Sequence, residues 1–110
     1  MRLDSPRDLG TFPPGNASVE YELWLYIAGS TPRSTTAILN IMDICKKHLN
    51  GRYRLEIVDV FPHPEIAREE GIVATPTLVR KAPKPRRVLI GDLSDTARVL
   101  SSLEIFPTAV

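Results

Sequence analysis

The chain has 110 residues, room for one domain and one modest core. An apolar fraction of 43% and a charged fraction of 25% exclude a disordered chain, and a net charge of +1 excludes a strong general attraction to nucleic acid or membrane surfaces. No apolar run approaches the ~20 residues that span a bilayer. The opening MRLDSPRDLGTFPPGN has acids, prolines and no apolar h-region, so it does not read as a secretory signal. A single cysteine makes no internal disulfide, which fits a reducing compartment, and the cytoplasm is the expected location.

Residues 1–18 read as a flexible N-terminal arm, punctuated by Pro6, Gly10, Pro13, Pro14, Gly15 and Asn16. The domain is expected over residues 19–106. It opens with a strand in which Tyr21, Leu23, Leu25 and Ile27 share one face, while Glu20, Glu22, Trp24 and Tyr26 share a partly covered one. Thr31 then reads as an N-cap and Pro32 as the first residue of a helix. Ile38, Met42, Cys45 and Leu49, reinforced by Ile41, form its apolar stripe, and Asn50-Gly51 its stop. A second strand, Tyr53–Val60, completes a right-handed βαβ unit and is therefore parallel to the first. A short helix follows over Glu65–Glu70, ended by Gly71. Ile72–Val79 and Arg87–Ile90 read as strands of an antiparallel hairpin, because Lys81–Arg86 is too short to hold a helix. Ser94 reads as the N-cap of a last helix running to about Phe106 and burying Ala97, Leu100 and Leu103. Residues 107–110 read as a frayed tail. The order is βαβαββα, an α/β domain with the thioredoxin-like succession of elements.

Chemistry is scarce. A thioredoxin-like domain keeps its reactive cysteines at the N-terminus of the long helix, where the dipole and free N–H groups lower the thiol pKa. Here Thr31-Pro32-Arg33-Ser34 holds that place, with hydroxyls for both sulfurs, so dithiol exchange is excluded and Thr31 and Ser34 read as helix caps. Cys45 lies on the apolar stripe and reads as a small buried hydrophobe. His48 and His63 stand apart from any ligand set, and no metal or cofactor is expected. Thr75-Pro76 has the place of the X-Pro bond that is often cis in thioredoxin-like domains, either as a fixed turn or with a functional role. The basic cluster Arg80, Lys81, Lys84, Arg86 and Arg87 reads either as a solvated hairpin or as a docking patch for an acidic protein surface.

Four stretches, in this order and at this spacing, carry a family resemblance: Leu23-Trp24-Leu25-Tyr26-Ile27-Ala28-Gly29-Ser30-Thr31-Pro32, Ile57-Val58-Asp59-Val60, Ala74-Thr75-Pro76-Thr77-Leu78 and Ile90-Gly91-Asp92-Leu93-Ser94. Over roughly residues 21–103 the chain resembles the KaiB family of circadian clock proteins. The resemblance implies a metamorphic chain with a thioredoxin-like form and a second packing, βαββααβ, that tends to assemble into tetramers. It implies binding to a KaiC-type ring ATPase and opposition to its phosphorylation cycle, with a KaiA-like component or a histidine kinase as further partners and a homo-oligomer, dimer or tetramer, as a resting state. Ser102 and Glu104 stand where the better-known members are expected to have Gly and Asp, and the arm and the missing acidic tail are further departures.

The expected role is that of a non-catalytic regulator in a clock, a timer or a stress response. Glu65, Arg68, Arg80, Lys84, Arg86 and Arg87 are the expected partner-binding residues. Thr75, Pro76, Pro83, Pro85, Gly91, Ser102 and Glu104 are the expected joints of a fold switch. The segment Val88–Phe106 mixes β-branched residues, a Gly-Asp turn and moderate helix formers, so neither strand nor helix has an overwhelming local preference there. The competing readings are a thioredoxin-like redox protein using Cys45, and a sensor module acting through a separate histidine kinase.

Overall fold

The computed structural model describes the backbone of residues 8–12 and the whole of residues 19–105. Its elements are β1 (Asp8–Phe12), β2 (Tyr21–Ile27), α1 (Pro32–His48), β3 (Tyr53–Asp59), α2 (Pro64–Glu70), β4 (Thr77–Ala82), β5 (Arg87–Ile90) and α3 (Thr96–Ser102). From β2 onward this is the thioredoxin-like βαβαββα order. Within the stretch read as an arm, β1 adds a strand; residues 1–7, 13–18 and 106–110 lie outside the described residues, and with them the rest of the arm and the tail.

The five strands make one mixed sheet in the order β1-β3-β2-β4-β5. β2 and β3 are parallel, Tyr21 beside Tyr53 through Ile27 beside Asp59, as the 17-residue α1 crossover requires. β2–β4 and β4–β5 are antiparallel, and β1 runs antiparallel along β3 from Val58 to Leu55.

The alternation in β2 sorts the interior into two layers. Tyr21, Leu23, Leu25 and Ile27 face the main core with Leu55, Ile57 and Leu78 of the sheet, Ala37, Ile41, Ile44 and Cys45 of α1, and Val99 and Leu103 at α3. On the other face Tyr26, Val58, Val60 and Val79 close under Ile66 of α2. Tyr26, expected on a partly covered face, is therefore 1% exposed, and its ring stacks against Trp24 with centroids 6.4 Å apart.

α1 begins as expected: the Thr31 hydroxyl accepts from the Ser34 N–H at 3.1 Å, and Pro32 occupies the first turn. Of the expected stripe, Ile41, Cys45 and Leu49 are fully buried, but the buried face is turned away from Ile38 and Met42 toward Ala37 and Ile44. Ser34, Ala37, Ile41, Ile44 and Cys45 point inward, whereas Met42 is 38% exposed and Ile38 only half-buried. The small Ser34 and Ala37 let the helix lie close to the sheet and so decide which of two neighbouring apolar stripes goes down.

β4 starts at Thr77, not at Ile72. Pro76 offers no N–H to a ladder, and the Thr77 hydroxyl donates to the Ala74 carbonyl at 2.6 Å, which bends residues 74–77 into a turn. α3 is shorter than expected and begins one residue later. Asp92 takes the Ser94 N–H on its carboxylate, which leaves Asp95 as the N-cap, accepting from the Arg98 N–H at 3.1 Å. Those Ser94 hydrogen bonds, with help from the Arg33 charge, hold the Asp92 carboxyl below its usual pKa. Val99 and Leu103 are the residues of α3 and its C-cap that go inward; Leu100 is half-buried and Ala97, expected inside, is exposed.

α2 ends at Gly71, where φ is 71° and the glycine N–H returns to the Ala67 and Arg68 carbonyls. A Cβ there would meet no atom within 4 Å, so only the left-handed backbone resists substitution. Gly71→Ala is expected to lower stability by about 1 kcal/mol in urea unfolding, with the slope unchanged; no loss at all would mean that the left-handed cap is not kept in solution.

Candidate functional site: a cationic groove between helix α2 and the hairpin

The redox position is occupied by hydroxyls that serve each other. Thr31 Oγ1 donates to Ser34 Oγ at 2.9 Å while also accepting the Ser34 N–H, so both side chains are spent on the helix start. Cys45 lies fourteen residues further along α1, roughly 20 Å from that end. It is fully buried, and burial pushes its thiol up to about 12. Since a reactive cysteine needs thiolate and access, native Cys45 is expected to resist iodoacetamide at pH 8 and to label fully in urea. Labelling of the folded chain within minutes would contradict the burial. The same shift makes stability alkali-sensitive. The folded thiol holds its proton above pH 9, where an unfolded thiol of ordinary pKa loses it, so this contribution is complete below pH 9 and is lost as pH climbs toward 12.

Polar geometry of another kind gathers where α2 meets the β4–β5 turn. Glu70, Lys81, Lys84, Pro85 and Arg86 line an open groove of about 700 Å³. The α2 helix ends there, and its last carboxylate takes Lys81 Nζ at 3.2 Å, while the Glu70 carbonyl accepts from the Arg86 guanidinium at 2.7 Å. Lys81 Nζ also sits 3.9 Å from the centre of the Trp24 ring, so its ammonium is fixed between a carboxylate and an aromatic face. Two cations thus flank one carboxylate, Lys81 at 3.2 Å and Arg86 at 4.0 Å, and Lys84 and Arg86 are open to solvent. A groove of that charge suits an acidic surface, and rim charges of this sort act on encounter rate and register more than on total affinity.

Of the residues expected to bind a partner, Lys84 and Arg86 stand in this groove, and Glu65 and Arg68 are exposed on the helix that leads into it. Arg80 and Arg87 do not join them. Arg80 is 3% exposed and donates to the carbonyls of Leu103, Glu104 and Pro85; Arg87 pairs with Glu104 at 2.8 Å. Both sit on the α3 side of the sheet, opposite the groove. Reading Arg80 as part of a solvated hairpin or an exposed patch is therefore corrected: residue type alone hid that its alternation partner, Leu78, faces the core.

The expected joints are likewise dispersed. Thr75-Pro76 is cis and lies beside the start of β4; Ala82-Pro83 and Lys84-Pro85, also cis, shape the hairpin turn; Gly91 follows β5 with φ 137°; Ser102 closes α3 and Glu104 has φ 53°. Trp24 and Lys81 were missed as a pair, although register gives the signal: Trp24 lies beside Val79, two residues before Lys81 on the same strand. Among the described residues no group of three metal-ligating side chains comes together, and no helix is long and apolar enough to cross a membrane.

A family model described as the KaiB domain matches residues 24–105. The chain belongs to the KaiB family. It is 47% identical over 85 residues to the circadian clock protein KaiB3 of Synechocystis, covering 77% of this chain and 83% of that one. To the circadian clock oscillator protein KaiB of Prochlorococcus marinus it is 46% identical over 85 residues, 77% of this chain and 71% of the relative. Among solved structures, the N-terminal domain of Synechococcus elongatus SasA superposes with a TM-score of 0.65 at 22% identity, over 90% of this chain and 97% of that one. Mitochondrial thioredoxin 3 of Saccharomyces cerevisiae superposes with 0.62 at 16% identity, over 78% of each chain. These two likenesses show a shared thioredoxin-like fold. The KaiB match starts after β1, so that strand lies outside the family domain.

Proposed function

We propose that this chain is a non-catalytic regulator that binds a KaiC-type ring ATPase and modulates its phosphorylation cycle in a clock, timer or stress response. The observation that carries the reading is the KaiB domain over residues 24–105, joined by relatives that are circadian clock proteins. Two further features support it. The redox reading has no accessible thiol, since Cys45 is buried and positions 31 and 34 are hydroxyls. A groove with Lys81, Lys84 and Arg86 around Glu70, continued by Glu65 and Arg68 on α2, offers the partner a charged surface.

In this reading the chain works in the cytoplasm, rests as a homo-oligomer and reaches its partner in the thioredoxin-like form. The second packing, with Thr75, Pro76, Pro83, Pro85, Gly91, Ser102 and Glu104 as joints, gives the resting state, and a KaiA-like component or a histidine kinase meets the same assembly. Two packings within a few kcal/mol are enough for such a switch.

Size-exclusion chromatography with the KaiC-type ATPase of the same cell and ATP, sampled from minutes to a day, tests the reading. Slow co-elution whose lag does not shorten with protein concentration supports a switching partner. Rapid co-elution keeps the partner and rejects the slow step; no co-elution rejects the partner.

A further inference from the structure

Arg80 and Arg87 are directly opposed across the β4–β5 ladder, where like charges repel. The chain answers with backbone and carboxylate from one place, the end of α3. Arg80 donates to the Leu103 carbonyl at 2.8 Å, to the Glu104 carbonyl at 3.2 Å and to the Pro85 carbonyl in the turn at 2.6 Å. Arg87 takes the Glu104 carboxylate at 2.8 Å. Glu104 is thus held at both its backbone and its side chain, in a left-handed conformation (φ 53°) that a non-glycine residue keeps only under such constraint.

Arg80 carries a full charge at 3% exposure with carbonyls as acceptors, and its Nε has no hydrogen-bond partner among the described residues. Two of those acceptors are the carbonyls of Leu103, the C-cap of α3, and of Glu104 just beyond it. α3 itself has seven residues, too few to be helical alone, and it goes inward through Val99, with Leu103 and Ile105 just after.

We infer that Arg80, seconded by Arg87, is a latch that makes α3 and residues 103–105 dock on or leave the sheet as one unit. If α3 lifts while Arg80 stays in place, a buried guanidinium loses two of its three acceptors, a state of high cost. Arg80 must therefore go to water together with α3, and the intermediate is suppressed. Two states remain: α3 seated with Arg80 inside, and α3 released with Arg80 hydrated. The sheet, with its own core against α1, does not need to open for this to happen.

Native-state hydrogen exchange on the full chain tests the latch, because the amides of Val99, Leu103, Glu104 and Ile105 are all bonded within this unit. In R80M those four amides are expected to exchange about tenfold faster or more, with β2 and β3 amides changed by less than about twofold. R80K keeps a charge but not the fork that reaches three carbonyls, so it is expected to show the same local pattern at roughly a third of the effect or more. R87Q is expected to act more weakly, as an exposed pair does. Should R80M fail to fold, R80K decides. Acceleration of all amides together in R80K, or of none, overturns the latch.

Discussion

Leu25→Ala is expected to lower the unfolding free energy by about 4 kcal/mol. Leu25 is fully buried in the central strand, with Ile57 beside it on β3 and Leu78 on β4. α1 closes above it through Ala37, Ile41 and Ile44. Sheet neighbours on both sides are fixed by ladders, so the walls of the vacated space have little freedom to move in, and the cavity term adds to the lost transfer energy. For a domain of this size that loss corresponds to a fall in Tm of roughly 15–30 °C, readable by circular dichroism. Val88 supplies the control: it is 45% exposed on β5, and Val88→Ala is expected to stay within about 0.5 kcal/mol. A Leu25→Ala loss below about 1 kcal/mol would mean that the two-sided packing of β2 does not exist in solution.

Lys84→Glu combined with Arg86→Glu is expected to weaken binding of the ATP-loaded KaiC-type ring by roughly a hundredfold, most of it in the association rate and at low salt. Each substitution turns a cation at the mouth of the groove into an anion beside Glu70, so the local charge reverses. The fold itself is not expected to suffer, because Lys84 and Arg86 are exposed and Arg86 gives up only a surface hydrogen bond to the Glu70 carbonyl and a 4.0 Å surface ion pair with its carboxylate. Lys46→Glu combined with Arg98→Glu is the matched control: it makes the same charge change on exposed positions of α1 and α3, across the sheet. Binding by titration calorimetry at two salt concentrations separates the outcomes. If the double reversal and the control have equal effects, only net charge matters and the groove is not the contact.

The parts of the fold read correctly from sequence are those fixed by local signals. Thr31-Pro32 at the start of α1, Gly71 after α2 and the alternation of Tyr21–Ile27 each have one physical solution. The errors fall where two local solutions compete and a neighbour chooses. Ile38-Met42 and Ala37-Ile41-Ile44 are both apolar stripes of α1, and close approach at Ser34 and Ala37 selects the second. Ser94 and Asp95 are both good N-caps, and the Asp92 carboxylate uses up the Ser94 N–H. β1 escaped notice because Gly10 and the surrounding prolines spoil any periodic pattern; its pairing depends on the border that β3 offers, which no window of sequence contains. The candidate site was half legible. Lys84 and Arg86 announce themselves by a turn rich in proline and charge, whereas Glu70 and Trp24 reach the groove only through tertiary packing, and Arg80 leaves it by facing the core.

The placement of β1 governs how the molecule behaves in concentrated solution. A sheet border exposes a row of unsatisfied amides and carbonyls that any passing chain can extend. β3 is seven residues long and would be one of the two longest such rows; β1 lies along it from Leu55 to Val58 and becomes the border in its place, only five residues long and with an irregular register between Asp8 and Gly10. The opposite border is β5, four residues that open with a charged arginine and offer too little length for another molecule to build on. The self-association that remains open is thus steered toward side-chain surfaces and away from indefinite strand addition.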